Sequence, residues 1–428
     1  MDHFHYDRGI LHCDAVDART LAADFGTPVY VYCARTLCDH LQRIREAFAT
    51  VEPRICFSVK SCQNISILRL LHDAGASFDV VSGGELLRAL EAGAMGAEIV
   101  FAGVGKSESE IALALQHDIA WFNVESEEEL AQIAQQAHSA GKKARIALRV
   151  NPDVDPHTHE YTTTGKRSTK FGIDIARAEG VFAAFRNHAG LDLCGIHLHI
   201  GSPVNEVQPY VEAVERALAL IERLRTKDIS IRALNIGGGF GAHYDGAEAP
   251  PAKDYAARLV PLLRGKGLEI LLEPGRSISA NAGVLLTRVL YTKEAGDRRF
   301  IIVDAAMTEL IRPALYGAFH FVWPVAPLLG LTPPSRSANL RMSGCVAVDI
   351  VGPVCESGDF LAKDRMLPPV KRGDLLCVFT TGAYGFVMGS QYNSRPRPPE
   401  VLVRDSAVQL IRRREEYDDL VRLERNAE

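Results

Sequence analysis

The chain has 428 residues, 47% of them hydrophobic and 24% charged, with a formal net charge of −5 at pH 7. That length suits one large α/β barrel plus a second domain, the composition excludes a disordered chain, and the charge argues against a nucleic-acid-binding surface. No apolar run approaches the roughly 18 residues a membrane span needs. The polar start "MDHFHYDRG" lacks the layout of an export signal, and the nine cysteines form no CxxC pair, so the expectation is a cytoplasmic protein with reduced thiols and no membrane contact.

In chain order, a helical segment, "ARTLCDHLQRIREAF", precedes a first apolar run, "RICFSVK". Seven more runs follow up to residue 276: "SFDVVS", "EIVFAG", "IAWFNVE", "ARIALRVNP", "LDLCGIHLHIG", "IRALNIGGGF" and "LEILLEPGR". Amphipathic stretches such as "GGELLRALEAGA" and "SESEIALALQHD" separate them. The stretch "SEEELAQIAQQAHSAGKK" carries Ser126 and Glu129 at the spacing of a capping box, with Gly141 just past its helical pattern. Buried strands alternating with helices predict a parallel sheet. Eight such strands are the number that closes a (β/α)8 TIM-type barrel; an open doubly wound sheet is the competing arrangement.

After residue 280 the runs "VLLTRVLYT", "RRFIIVDAA", "CVAVDIVG" and "DLLCVFTTG" follow one another without long helices. They predict a mainly antiparallel C-terminal β domain. Segment 322–338 reads as a loop, and "AVQLIRRREEYDDLVRLE" reads as a charged terminal helix. The expected division is a barrel over 30–280 and a β domain over 281–428 joined by the N-terminal segment 1–29.

A lysine at the end of a buried strand, Lys60, is costly unless it is paired or chemically used; a surface lysine is the plain alternative. Barrel active sites gather at the C-terminal strand ends. Those ends carry Lys60, Asp79, His197 and His199 on one strand face, Ser202, the glycine run Gly237 to Gly241, and "EPGR" from Glu273 to Arg276. Each alone is weak, since glycine clusters often make turns and strand histidines often pack in cores. Together they match the parts of a pyridoxal 5′-phosphate site: a lysine for the cofactor's aldehyde and a carboxylate, Glu273, for its pyridine nitrogen. His199 is placed for the ring face. Consecutive glycine N–H groups make a phosphate cradle, and Arg276 adds a charged fork. "HLHIGS" has no third metal ligand beside it, and His157 and His159 in "DPHTHE" read as polar loop residues, so no metal is expected.

The motifs "FSVK", "HIGS", "GGGFG", "EPGR", "GPVCESGD" and "GAYG" occur in order over about residues 25 to 400. The set resembles the fold-type III, alanine-racemase-like pyridoxal-phosphate decarboxylases. "CESGD", "RPALYGAFH" and "RVNPDVDPHTHEYTTTGKRSTKFGI" are most similar to the branch that converts meso-2,6-diaminopimelate to L-lysine and carbon dioxide. The resemblance implies that Lys60 links to the cofactor, Asp79 contacts that lysine, His199 stacks on the ring and Glu273 faces its nitrogen. Ser202, Gly238, Gly239, Gly275, Arg276 and Tyr384 are implied around the cofactor. Arg276, Arg312, Tyr316 and Tyr384 are implied to hold the substrate, and Glu356 its distal ammonium. Cys355 is implied to be a proton donor supplied by the partner subunit of a homodimer with shared sites. "FSVKSC" departs from the commoner Ala-Lys-Ala-Asn pattern, so Ser61 and Cys62 are expected to alter local packing. Three alternatives stay open. An alanine racemase would carry arginine where Glu273 stands. A related decarboxylase would act on ornithine, arginine or a carrier-bound amino acid; the eukaryotic ornithine enzymes carry aspartate where Glu356 stands. A non-catalytic cofactor-binding homologue usually loses the lysine or the cysteine.

Overall fold

A computed structural model of the chain describes residues 2–155, 170–246 and 249–425; His157 and His159 lie outside the described residues. By contact the described residues group into two units. One comprises His40–Gly241 and Ala249–Ser277, the other Met1–Asp39, Ala242–Glu248 and Ile278–Glu428.

All eight apolar runs of the first unit are strands: β1 Arg54–Ser58, β2 Ser77–Val80, β3 Ile99–Phe101, β4 Trp121–Val124, β5 Ala144–Asn151, β6 Leu191–His197, β7 Ala233–Asn235 and β8 Glu269–Leu272. They pair in parallel in the order β5-β6-β7-β8-β1-β2-β3-β4, and β4 pairs back onto β5. The sheet is therefore closed, and the open doubly wound alternative is excluded. A two-residue strand, Ile173–Asp174, pairs in parallel with the C-terminal end of β5 at Val150 and Asn151.

Side chains alternate in and out along a strand, and here the alternation stacks two unlike layers inside the barrel. Cys56, Val100, Trp121, Ala147, Cys194, Ala233 and Leu271 form one apolar cluster. Trp121 is the only large aromatic in it, and most of its cluster partners are alanine or cysteine. A Cβ on Gly195 would sit 2.9 Å from Trp121 Cζ3 and 3.0 Å from Ala147 Cβ. Two residues further along five of these strands come Ser58, Asn123, Arg149, Asn235 and, just past β8, Glu273, all buried. His197 follows Gly195 at the same interval. The outward residues Phe57, Phe78, Phe101 and Phe122 are buried as well.

The helices start where the sequence places their caps, with one difference. Ser126 Oγ accepts from Glu129 N at 3.2 Å and caps Glu127–Ser139. Gly141 follows that helix at φ +65°. The reciprocal half of the expected box is not made, because Glu129 is engaged elsewhere: it accepts from Lys106 Nζ at 2.6 Å and Glu125 N at 2.8 Å. A complete box forms instead at Ser107 and Glu110.

In the second unit the four expected runs lie in Gly283–Ala295, Arg298–Val303, Val346–Val351 and Leu375–Val378. The larger sheet also takes in Val29–Cys33, Phe360–Leu367, Glu400–Arg404 and Ala407–Arg412. Its pairings are antiparallel except Arg298–Val303 with Val346–Val351 and Val29–Cys33 with Glu400–Arg404. The terminal segment is not one helix. Ala407–Arg412 is a strand turned back on Glu400–Arg404 through Asp405, which adopts φ +53°, and only Tyr417–Arg425 is helical. The local turn, which charge patterning does not reveal, decides this. Segment 322–338 opens with a short strand, Val322–Pro324, on Leu375–Val378.

Because Trp121 fills the lower barrel among small residues, Trp121→Ala is expected to cost about 3–5 kcal/mol of stability, read as a fall in the urea midpoint. Gly195→Ala is expected to destabilise the wild type more than the Trp121→Ala variant, since the removed indole is what its methyl would strike. Equal effects in the two backgrounds would show that the indole does not set the space at Gly195.

Candidate active site

The polar layer above the Trp121 plug forms the floor of the site. Glu273 stands just past β8 and is 4% exposed. Its Oε1 accepts from Asn123 Nδ2 at 2.8 Å and from Asn235 Nδ2 at 2.6 Å. Its Oε2 lies 3.2 Å from His197 Nε2. Burial acts to raise the carboxyl's pKa, but His197, then Lys60, outweigh it and hold Glu273 well below the usual carboxylate range. The site therefore presents a fixed negative charge deep in the barrel.

Lys60 lies two residues beyond β1, in the 3-10 segment Val59–Ser61. Its Nζ is 3.7 Å from Asp79 Oδ2, an ion-pair separation longer than a hydrogen bond. The lysine side chain is 36% exposed and Asp79 is fully buried, so the pair joins a solvent-reached side chain to a buried counter-charge. Ser58 Oγ donates to Asp79 Oδ2 at 2.7 Å. Burial first, then the charge of Glu273, pushes Asp79 up to about 7 against the pull of Lys60. Ser61 and Cys62 close the turn, Ser61 Oγ donating to Ser58 O at 2.8 Å and Cys62 N to Val59 O at 3.0 Å.

His197 and His199 do not share a strand face, as β6 ends at His197. Leu198 N then bonds to Asn235 O, and His199 sits in the following loop. Half-buried His199 is held neutral: desolvation first, then the charges of Lys60 and Arg149, lower its pKa well below the usual value. Arg149 is itself paired with Glu125 at 2.8 Å.

The glycine loop after β7 runs against backbone. A Cβ on Gly238 would lie 1.9 Å from Glu273 O, and one on Gly239, at φ +99°, 2.2 Å from Gly201 O. Only glycine brings the chain this close. Beside it Arg276 Nε donates to Ser202 Oγ at 3.1 Å, and Gly275 packs on Ser58 and Ser61. A part-exposed lysine, an ionised carboxylate at the floor and a side-chain-free loop beside an arginine fit pyridoxal phosphate. Among the described residues, buried polar atoms at the same level, Asp79 Oδ1, Asn123 Oδ1 and His197 Nδ1, have no hydrogen-bond partner, which also suits a polar ligand there.

The remaining candidates belong to the second unit. Arg312 opens the short helix Arg312–Tyr316 and is 7% exposed. Its Nε donates to His320 Nε2 at 3.3 Å. Its guanidinium lies 5.2 Å from the Tyr244 ring centroid and 5.7 Å from that of Tyr316. Among the described residues no carboxylate pairs with Arg312, and its two terminal nitrogens make no hydrogen bond. Cys355 and Glu356 are exposed in the turn between Val346–Val351 and Phe360–Leu367, where Cys355 N donates to Asn393 Oδ1 at 2.9 Å. Buried Asp359 pins that turn by accepting from Val354 N and Met307 N, both at 2.7 Å. Tyr384 is half-buried at φ +55°.

Sequence reasoning missed the clamp on Glu273, made by Asn123, Asn235 and His197, and the surround of Arg312, made by Tyr244 and His320. The signal for the first was present: an asparagine inside "WFNV" and another inside "ALNIG" are polar residues on the inner face of apolar strands.

Residues 34–280 match the family model described as pyridoxal-dependent decarboxylase, pyridoxal binding domain. Over 420 residues the chain is 45% identical to the diaminopimelate decarboxylase of Aquifex aeolicus, covering 98% of this chain and 96% of that one. Over 426 residues it is 44% identical to the diaminopimelate decarboxylase of Vibrio cholerae, covering 99% of each. The crystal structure of the diaminopimelate decarboxylase from Helicobacter pylori complexed with L-lysine superimposes with a TM-score of 0.89 at 39% identity, over 96% of this chain and 100% of that one. The closed barrel, the floor from Lys60 to Glu273 and this full-length likeness together place the chain in the pyridoxal-dependent decarboxylase family, in its diaminopimelate decarboxylase branch.

Proposed function

We propose that the chain decarboxylates meso-2,6-diaminopimelate to L-lysine and carbon dioxide, with pyridoxal 5′-phosphate as cofactor. The observation that carries the substrate is Arg312: a buried guanidinium whose Nε donates to the His320 imidazole, with no carboxylate partner among the described residues. A buried charge left uncompensated is costly. A substrate with a second carboxylate compensates it; ornithine and arginine have none to offer. Relatives of similar length that carry the diaminopimelate decarboxylase name support the same reading.

In this proposal the bound cofactor supplies an electron sink for the pair released when the carbon–carboxylate bond breaks. Lys60 holds the cofactor's aldehyde. Ser202, Gly238, Gly239, Gly275 and Arg276, with Tyr384, hold its phosphate end. Glu273, kept ionised by its amide and imidazole partners, holds a proton on the pyridine nitrogen. Neutral His199 covers the ring without placing a second cation against it. Asp79, poised near neutrality, takes up or gives charge as the Lys60 amine changes its own. Arg276, Arg312 and Tyr316 hold the distal carboxylate, and Glu356 the distal ammonium. Cys355 delivers the proton to the carbon that lost carbon dioxide. Cys355 and Glu356 are exposed on their own chain, which suits a homodimer in which this turn completes the partner's site. Nine free cysteines support the cytoplasm as the place of reaction.

Release of carbon dioxide from meso-diaminopimelate, with ornithine and arginine as rival substrates, tests the assignment. Arg312→Ala is expected to weaken use of diaminopimelate by roughly 2–5 kcal/mol in kcat/KM, as for loss of a desolvated charge partner. Faster wild-type turnover of ornithine would sink the substrate.

Glu273→Gln is expected to retain the cofactor, seen in its absorption, yet to slow turnover by about a hundredfold or more. Unchanged turnover would mean that the ring nitrogen has another partner.

Lys60→Ala and Glu356→Ala are each expected to be nearly inactive alone. On random subunit exchange about half the dimers are mixed, each with one intact site, so about a quarter of wild-type activity is expected to return. A mixture shown to exchange that stays inactive overturns the shared site.

A further inference from the structure

The partner of the Arg312 Nε–H is a histidine where proteins commonly use a carboxylate. His320 is fully buried. Its Nδ1 lies 3.0 Å from Phe379 O. A carbonyl oxygen only accepts, so Nδ1 carries the proton. Nε2 then presents its lone pair, and the Arg312 Nε–H donates to it at 3.3 Å. Tyr244 locks both partners: its ring meets His320 edge-on at 5.6 Å and 88° and lies under the Arg312 guanidinium at 5.2 Å.

We infer that His320 is a positioning and specificity-determining residue, a neutral acceptor that orients the Arg312 fork while leaving its charge for the substrate. The inference rests on the reading of Arg312 as the seat of the distal carboxylate. A carboxylate at position 320 would make an equally directed and stronger hydrogen bond to Nε. It would also cancel the guanidinium charge inside the protein, and the attraction for an incoming carboxylate would fall with it. An apolar residue there would leave Nε without an acceptor and the fork without a fixed direction. A neutral acceptor is the one choice that keeps both the direction and the charge.

The test separates charge from orientation with two ligands of the same length. L-Lysine carries the distal carboxylate and 1,5-diaminopentane does not. Affinities of the holoprotein for each are measured by titrating the cofactor's absorption, with thermal unfolding as a check on folding. His320→Gln preserves a neutral acceptor, so its L-lysine affinity is expected to stay within about threefold of wild type. His320→Glu is expected to weaken L-lysine at least about tenfold while 1,5-diaminopentane changes little. Should the glutamate variant fail to fold, His320→Leu provides the second reading, with the preference for L-lysine expected to shrink at least about fivefold. Glutamate or leucine variants that keep the full preference for L-lysine, or that lose both ligands equally, overturn the inference. Arg312→Ala is run beside them. If it leaves the preference intact, the reading of Arg312 has failed; if it abolishes the preference while the His320 variants keep it, the role of His320 alone has failed.

Discussion

An ionised carboxylate at the floor of a closed barrel is the constraint on which the rest of the catalytic unit depends. Glu273 is buried where a lone charge is expensive, and three side chains from three strands make it tolerable: Asn123 from β4, Asn235 from β7 and His197 from β6. None of these three is close to Glu273 in sequence. They meet because the sheet closes and because each stands on an inward position at a strand's C-terminal end. The same charge acts on its surroundings, raising Asp79 and depressing itself under the pull of His197 and Lys60. Two buried carboxyls at one level thereby take different states, one firmly ionised and one poised near neutrality.

The layering below explains why that floor is rigid. Trp121 and its small neighbours fill the barrel beneath, so the polar residues two positions on stand on packed apolar atoms instead of water. A side chain at Gly195 would compete with the indole for space, and one at Gly238 would collide with the backbone of Glu273 itself. Shape at these positions is set by volume, and charge at the next layer by hydrogen bonding. The alternation of the strand converts one into the other within two residues.

The second unit handles a charge in the opposite manner. Where Glu273 is surrounded by donors, Arg312 is oriented by a neutral ring and two aromatic faces and left without a counter-ion among the described residues. A site that fully neutralised its own arginine would have little left with which to select an anionic ligand. The turn carrying Cys355 and Glu356 follows a third logic. Its exposed tip is held from beneath by buried Asp359, whose carboxylate accepts two backbone N–H groups. Cys355 and Glu356 thus stay exposed on a fixed base.

The sequence alone determined the eight barrel strands, the helices between them, the β-rich second half and the end of the barrel at which Lys60, Asp79 and Glu273 stand, with Ser202 and Arg276 in the segments beyond the strands. These features are local: apolar runs of strand length, capping serines and glycine clusters register in a window of a few residues. Tertiary structure decided what no window contains. Closure of the sheet, and not a motif, brought Asn123, Asn235 and His197 onto Glu273. A backbone turn at Asp405 made a strand of Ala407–Arg412, where charge patterning had read helix. Competition from Lys106 and the Glu125 N–H drew Glu129 away from its expected cap. In "RPALYGAFH" the sequence placed His320 eight residues after Arg312 with no sign that they touch. Only the fold shows an imidazole turned so that one nitrogen serves a carbonyl and the other a guanidinium, because hydrogen-bond direction is a property of three-dimensional neighbours and not of spacing along the chain.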